Sequence, residues 1–186
     1  GSTVSAYPTL WFYLPYSVTE TRLAELRVEE HQGQYIFDRT IATITQASAG
    51  VIGISLPPGK MAPLEVGEPR YFKFVIRCDP QDSSANKFVS ITVQRIPLSP
   101  LLQDQLTRAS FQEKVKLYGN AGIWFETVTT VAEGLQQSPT DSTLRPIWTR
   151  FLRDLNLPPR DPQPIITLTD PSQAQQLSFP QKSVKP

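Results

Sequence analysis

The chain has 186 residues, of which 18 are Lys or Arg and 17 are Asp or Glu, for a formal charge of +1. That length buries a real core without a disulfide or a metal, and the balanced charge lacks the concentrated positive field that phosphate backbones require, which excludes nucleic acid as a partner. No apolar run approaches the roughly 20 residues of a membrane helix, so no membrane insertion is expected.

Residues 1–8 read as a leader or tag remnant, with Gly1 and Ser2 as the scar of a cleavage. From Thr9 to Ile96, short apolar stretches alternate with turn formers. "TLWFYLPY" suits a pleated surface and is ended or bent at Pro15, which cannot donate to a ladder. In "RLAELRVEE", Ala24, Leu26 and Val28 alternate with charged neighbours, the mark of a strand wet on one face. "HQGQ" from His31 to Gln34 reads as a turn, "YIFDRTIATI" as the returning strand and "GVIGISLP" as the next, closed by Pro57, Pro58 and Gly59. After a proline-containing connection, "RYFKFVIRC" puts Phe72, Phe74, Ile76 and Cys78 on one face and Tyr71, Lys73, Val75 and Arg77 on the other. "KFVSITVQRI" sets Val89, Ile91 and Val93 against Ser90, Thr92 and Gln94. Six or seven strands at this spacing predict an antiparallel β-sandwich, immunoglobulin-like, over 9–97. An open sheet covered by downstream helices is the competing arrangement.

Past Pro97 and Pro100 the period changes. "SFQE" has the spacing of a capping box and predicts a helix starting at Ser110, with Phe111, Val115 and Tyr118 on one face. The next helix carries Trp124, Val128, Val131 and Leu135. Asp141 or Ser142 can cap a third, whose Leu144, Ile147, Trp148, Phe151, Leu152 and Leu155 form an apolar stripe, with Pro146 tolerable in its first turn. Tyr118, Gly122, Trp124, Thr127, Val131, Gly134 and Pro139 fall at intervals that resemble a single tetratricopeptide repeat, although Thr127 and Gly134 stand where alanine is usual. The helical region is therefore placed at 98–157 and the whole chain in the α+β class. Residues 158–186 form a proline-rich tail with too little apolar material to fold alone, in which Ile165, Ile166 and Leu168 can add a strand.

Chemistry-bearing motifs are scarce. No nucleophile elbow, zinc-binding helix signature, phosphate loop or dinucleotide fingerprint occurs, and no cofactor is expected. His31 beside Glu29 and Glu30 reads as an exposed turn histidine, since a zinc site needs more His or Cys ligands. Cys78, the single cysteine, is open to three readings: a packed thiol, one half of a disulfide with a cysteine outside this sequence, or a nucleophile if His31 folds onto it. Asp79, Asp82 and Asn86 supply oxygen ligands but miss the spacing of a helix-loop-helix calcium site, with Ser84 and Ser90 where glycine and glutamate belong. A turn stabilised by its own side chains explains them. Glu65 and Glu68 read as surface charge.

Three stretches occur together: "WFYLPY" from Trp11, "LEVGEPRYFKFVIRCDPQDSSANKFVSITVQR" from Leu64, and "LYGNAGIWFETVTTVAEG" from Leu117. In that order they resemble the cyanobacterial DUF928 family of uncharacterised function, over most of 9–157. The resemblance implies a periplasmic or extracellular setting and an upstream cysteine as partner for Cys78. It carries no catalytic residues.

The expected function is a noncatalytic extracytoplasmic binding or structural module, not an enzyme. Its expected partner is a protein met at Trp124, Trp148 and Phe151, with a small ligand not excluded. The alternatives are a sensory ligand-binding domain of a signalling assembly and a small hydrolase using Asp79, Asp82 or Glu29.

Overall fold

The computed structural model describes residues 1–167 apart from positions 33, 57, 60, 80 and 164. Leu168, the rest of the expected tail, Gly33 of the expected turn and Pro80 of the polar loop lie outside the described residues.

The strands are β1 (Ser2–Thr3), β2 (Thr9–Leu14), β3 (Ala24–Gln32), β4 (Tyr35–Ile44), β5 (Gly50–Ser55), β6 (Pro69–Ile76) and β7 (Lys87–Arg95). The helices α1 (Pro100–Arg108), α2 (Phe111–Asn120), α3 (Trp124–Gln137) and α4 (Leu144–Asp154) follow, and then a short β8 (Ile166–Thr167). The strands form a larger sheet in the order β1-β7-β6-β3-β4 and a smaller one in the order β2-β5-β8. The class is mixed α+β, two sheets followed by four helices.

Alternation decides which faces meet. Ala24, Leu26 and Val28 of β3 and Phe72, Phe74 and Ile76 of β6 point inward, and Leu10, Phe12, Leu14, Ile52 and Ile54 of the smaller sheet meet them in one core. Phe12 and Phe74 stack across it with ring centroids 4.5 Å apart and planes 14° apart. The opposite face of β2 is not wet. Trp11 and Tyr13 pack with Val51 against Val128, Val131, Leu135, Trp148 and Leu152 of the helices. The smaller sheet is therefore a middle layer, and a strand covered on both faces reads as the continuous apolar run seen in "LWFYL". Trp11 lies over Gly53, its partner in the β2–β5 register, where any side chain would collide with the indole. Its Nε1 donates to Thr129 Oγ1 of α3 at 2.9 Å.

The helix signals act as expected at two places. Ser110 and Glu113 form both halves of the capping box, and the Asp141 carboxylate accepts from the backbone N–H of Thr143 and Leu144. Sequence reasoning had no helix before Ser110. In the structure Ser99 caps α1 and Pro100 occupies its first turn, where a missing N–H does no harm.

Three placements differ from expectation, and the strand that the tail could add is present. Residues 1–8, set aside as a remnant, carry β1, which runs parallel to β7 opposite Gln94 and Arg95. Val89 keeps its inward parity but is 48% exposed, because two six-residue strands cannot cover the whole of a five-stranded sheet. Leu155 is exposed, since it follows the last residue of α4. Part of the expected tail is tied down: Gln163 N–H donates to Val51 O, and β8 runs parallel to β5.

The tightest helix contact is at Gly134, where an added Cβ would lie 2.3 Å from Leu144 Cδ1. Leu144 is 1% exposed and has little room to yield. Gly134→Ala is expected to gain about 1 kcal/mol of helix propensity and to lose more to overpacking. The net destabilisation of about 1–2 kcal/mol is checked as a fall of a few degrees in the thermal unfolding midpoint.

Candidate ligand groove on the outer sheet face

The larger sheet has its other face free of the core, and the strand register decides which side chains line it. Glu25 lies opposite Val75, and Arg27 opposite Lys73. Val75 and Lys73 in turn lie opposite Phe88 and Ser90, while Glu29 lies opposite Asp38. Directly opposed residues sit roughly 5 Å apart, so Arg27 and Lys73 would repel each other if left alone. Each instead has a carboxylate. Arg27 sends Nε (2.9 Å) and Nη2 (2.5 Å) to Glu25 Oε2, and Lys73 donates to Asp38. Arg77 Nη1 reaches the other oxygen of Glu25 at 3.3 Å. Glu25 is only 7% exposed, and a carboxylate taken that far from water requires such partners.

The segment after β6 builds the wall. Asp79 accepts from Gln81 N–H, and Asp82 Oδ1 accepts from Ser84 N–H (2.8 Å) and Ser84 Oγ (2.6 Å). These bonds frame a 3-10 turn at Ser83–Ala85 and hold the Asp82 carboxyl below its usual value, the Ser84 hydroxyl contributing most. The turn, with Phe88, encloses an open cavity of about 530 Å³ above Arg27, Asp38, Lys73, Val75 and Arg77. Val75 is buried although its parity is outward. Phe88 is 68% exposed, and Lys73 Nζ lies 5.7 Å from its ring centre. Asn86 lines the same wall, and its Oδ1 is buried without a hydrogen-bond donor among the described residues.

Cys78 is on the opposite side. It is half-buried against the core, with Sγ 3.6 Å from the Tyr16 hydroxyl. That contact, joined by burial, pushes the Tyr16 phenol up, and Arg22 over the ring works against it. His31 meets Glu29 at 3.3 Å on the surface, and no group of three metal-ligating side chains occurs among the described residues. The contact candidates divide. Trp148 is 3% exposed, edge-on to Trp11, and donates Nε1 to Arg160 O, so it is consumed by packing. Trp124 is exposed and tilts against half-buried Phe151 at 5.4 Å.

A second concavity of about 240 Å³ lies between α2, α3 and the N-terminal segment, and Tyr7, Tyr118, Phe125, Glu126 and Glu133 help line it. Glu126 Oε1 accepts from Thr3 Oγ1, Val4 N–H and Ser5 N–H, which makes it a clamp on the strand β1. Burial raises the carboxyl of Glu133 against the pull of Lys114. Burial and the two carboxylates raise the phenol of Tyr118.

Sequence reasoning placed Lys73, Val75 and Arg77 on one face but assigned them no role, and it passed over Arg27 and Asp38. Alternation identifies a face within one strand. Only the register across β3, β4 and β6 brings these five together.

Residues 1–165 match the model of one family, Domain of Unknown Function (DUF928). No curated protein and no solved structure matches the chain.

The Asp82 turn is the part of the groove most open to test. Asp82→Ala is expected to speed amide hydrogen exchange at Ser84 and Ala85 while the strands of the larger sheet keep their protection. Because the folded carboxyl titrates below its unfolded value of 3.8, the turn keeps its full support above that pH and loses it as pH falls further. Exchange at Ser84, corrected for intrinsic rates, is therefore expected to rise only below about pH 3.8 in the native chain.

Proposed function

The chain belongs to the DUF928 family, and we propose that it is a noncatalytic binding module whose ligand site is the groove on the outer sheet face. The observation that carries this reading is the arrangement of Arg27, Lys73 and Arg77 around one cavity beneath a turn braced by its own side chains. A volume of about 530 Å³ is within the roughly 300–1,000 Å³ of small-ligand sites. Cations presented on strands, each positioned by a carboxylate, form a preorganised surface for an anion.

The hydrolase alternative draws less support. Asp79 and Asp82 accept bonds within their own turn, Glu29 meets His31, and none of the three lines either concavity. Acid–base catalysis needs carboxyl groups free to exchange protons with a substrate. The sensory alternative calls for an apolar pocket closed between sheet and helices, whereas both concavities carry charged linings.

We propose further that the two sheets form a sandwich, for which the stacking of Phe12 on Phe74 is the support. The immunoglobulin-like order belongs to the same proposal: such an order places its second and third strands in opposite sheets, as β2 and β3 lie here. An extracytoplasmic setting rests on the family resemblance, and with it a disulfide for Cys78.

Two measurements test these readings. In a nitrogen-15 NMR titration of the whole chain with citrate, a compact tricarboxylate, saturable shifts are expected at Lys73–Arg77 and Ser83–Phe88. A Lys73→Ala, Arg77→Ala double variant should abolish them, and shifts scattered elsewhere would count against the groove. For the setting, the protein recovered from its native source, with any sequence that precedes residue 1, is alkylated and weighed with and without reduction. Labelling of Cys78 only after reduction is expected, and labelling before it would overturn the disulfide.

A further inference from the structure

We infer that the ligand of the groove is an acidic saccharide, a sugar ring or short chain bearing a carboxylate; this rests on the reading of the groove as a binding site. The floor and the wall make opposite demands. Arg27 directs Nε and Nη2 to Glu25, and Arg77 directs Nη1, so Arg27 Nη1 and Arg77 Nη2 have no acceptor among the described residues. With Lys73 beside them, the floor calls for an anionic acceptor, and the guanidinium fork suits a carboxylate.

The wall calls for donors. Ser84 Oγ already donates to Asp82, which leaves it only accepting capacity. Two residues on, Asn86 Oδ1 lacks a donor, a deficit that costs about 1–3 kcal/mol in a buried group. The Asn86 side chain lines the cavity wall, so a ligand seated against that wall meets this amide. A ligand that satisfies both carries neighbouring hydroxyl donors.

A third demand is shape. Val75 and the exposed ring of Phe88 form an apolar end to a cavity otherwise lined by polar groups. Inorganic sulfate or phosphate meets the floor but brings neither apolar face nor ring hydroxyls. An acidic peptide meets the floor too, yet its extended backbone offers one N–H per residue, alternating in direction along the chain, where a sugar ring offers hydroxyls side by side. A free amino acid brings an ammonium toward three cations. A uronate ring supplies the carboxylate, adjacent hydroxyls and a C–H face together.

The test is a nitrogen-15 NMR titration of the whole chain with three probes of matched length: oligo-glucuronate, the uncharged glucose oligomer and oligo-glutamate. Oligo-glucuronate is expected to shift Lys73–Arg77 and Ser83–Phe88 saturably, and the other two to bind about tenfold more weakly or worse, a gap of about 1.4 kcal/mol. Oligo-glucuronate with its ring hydroxyls methylated, which leaves every carboxylate in place, should bind the unaltered chain severalfold more weakly than the native oligomer. Lys73→Ala should weaken native oligo-glucuronate and citrate alike, with Lys73→Met in its place should the first fail to fold. Equal or tighter binding of oligo-glutamate overturns the saccharide while leaving the groove as a site. Silence of the groove toward all three and toward citrate overturns both readings.

Discussion

Burial of β2 on both faces is the constraint on which the other elements depend. Leu10, Phe12 and Leu14 face the larger sheet, while Trp11 and Tyr13 face the helices. A strand with no wet side cannot lie at the surface, so the sheet containing it becomes a middle layer and both neighbours are needed to cover it. Removing apolar surface from water is the term that drives this, at about 25 cal/mol per Å². The polar handles of that packing are satisfied in place, as Trp11 donates to Thr129 and Trp148 to Arg160 O. The contact between the two indoles, 6.1 Å and 70° apart, then joins β2 to α4.

Because the core side of the larger sheet is used in this way, its other face is where charge can collect. Glu25 shows how closely that face is specified. Its alternation is outward, yet the side chain is nearly inaccessible and answers two guanidiniums. Removing either arginine leaves this nearly inaccessible carboxylate with a single cationic partner, which makes the arrangement rigid as well as costly to lose. A rigid charged floor favours selective binding, since little ordering remains to be done when a ligand arrives.

Much of the framework was legible from local pattern. Strand faces followed alternation, with Ala24, Leu26 and Val28 inward and Lys73 outward, and Ser110 with Glu113 marked the start of α2. Local pattern did not reveal α1, whose signals are only a capping Ser99 and a proline, and whose sole buried side chain is Leu106. Nor could it rank the tryptophans. Trp124 and Trp148 both sit on apolar helical stripes, but one opens α3 at an exposed end while the other faces Trp11. The groove was hidden for a deeper reason. Arg27, Asp38, Lys73 and Arg77 come from three strands and a loop, and their convergence depends on a register that hairpin geometry and the core jointly impose.

The segment "RCDPQDSSAN" joins these two levels. Strand β6 ends at Ile76, but the alternation persists for two more residues, so that Arg77 reaches outward to Glu25 while Cys78 turns inward to Tyr16. Consecutive side chains thus anchor the loop on both faces of the sheet before Asp79 and Asp82 fold the turn. A loop hung on one point would leave Ser84 and Asn86 free to wander from the cations. With one anchor in the core and one on the floor, the wall keeps its distance from Arg27 and Lys73, and the packing that stabilises the fold also sets the width of the groove.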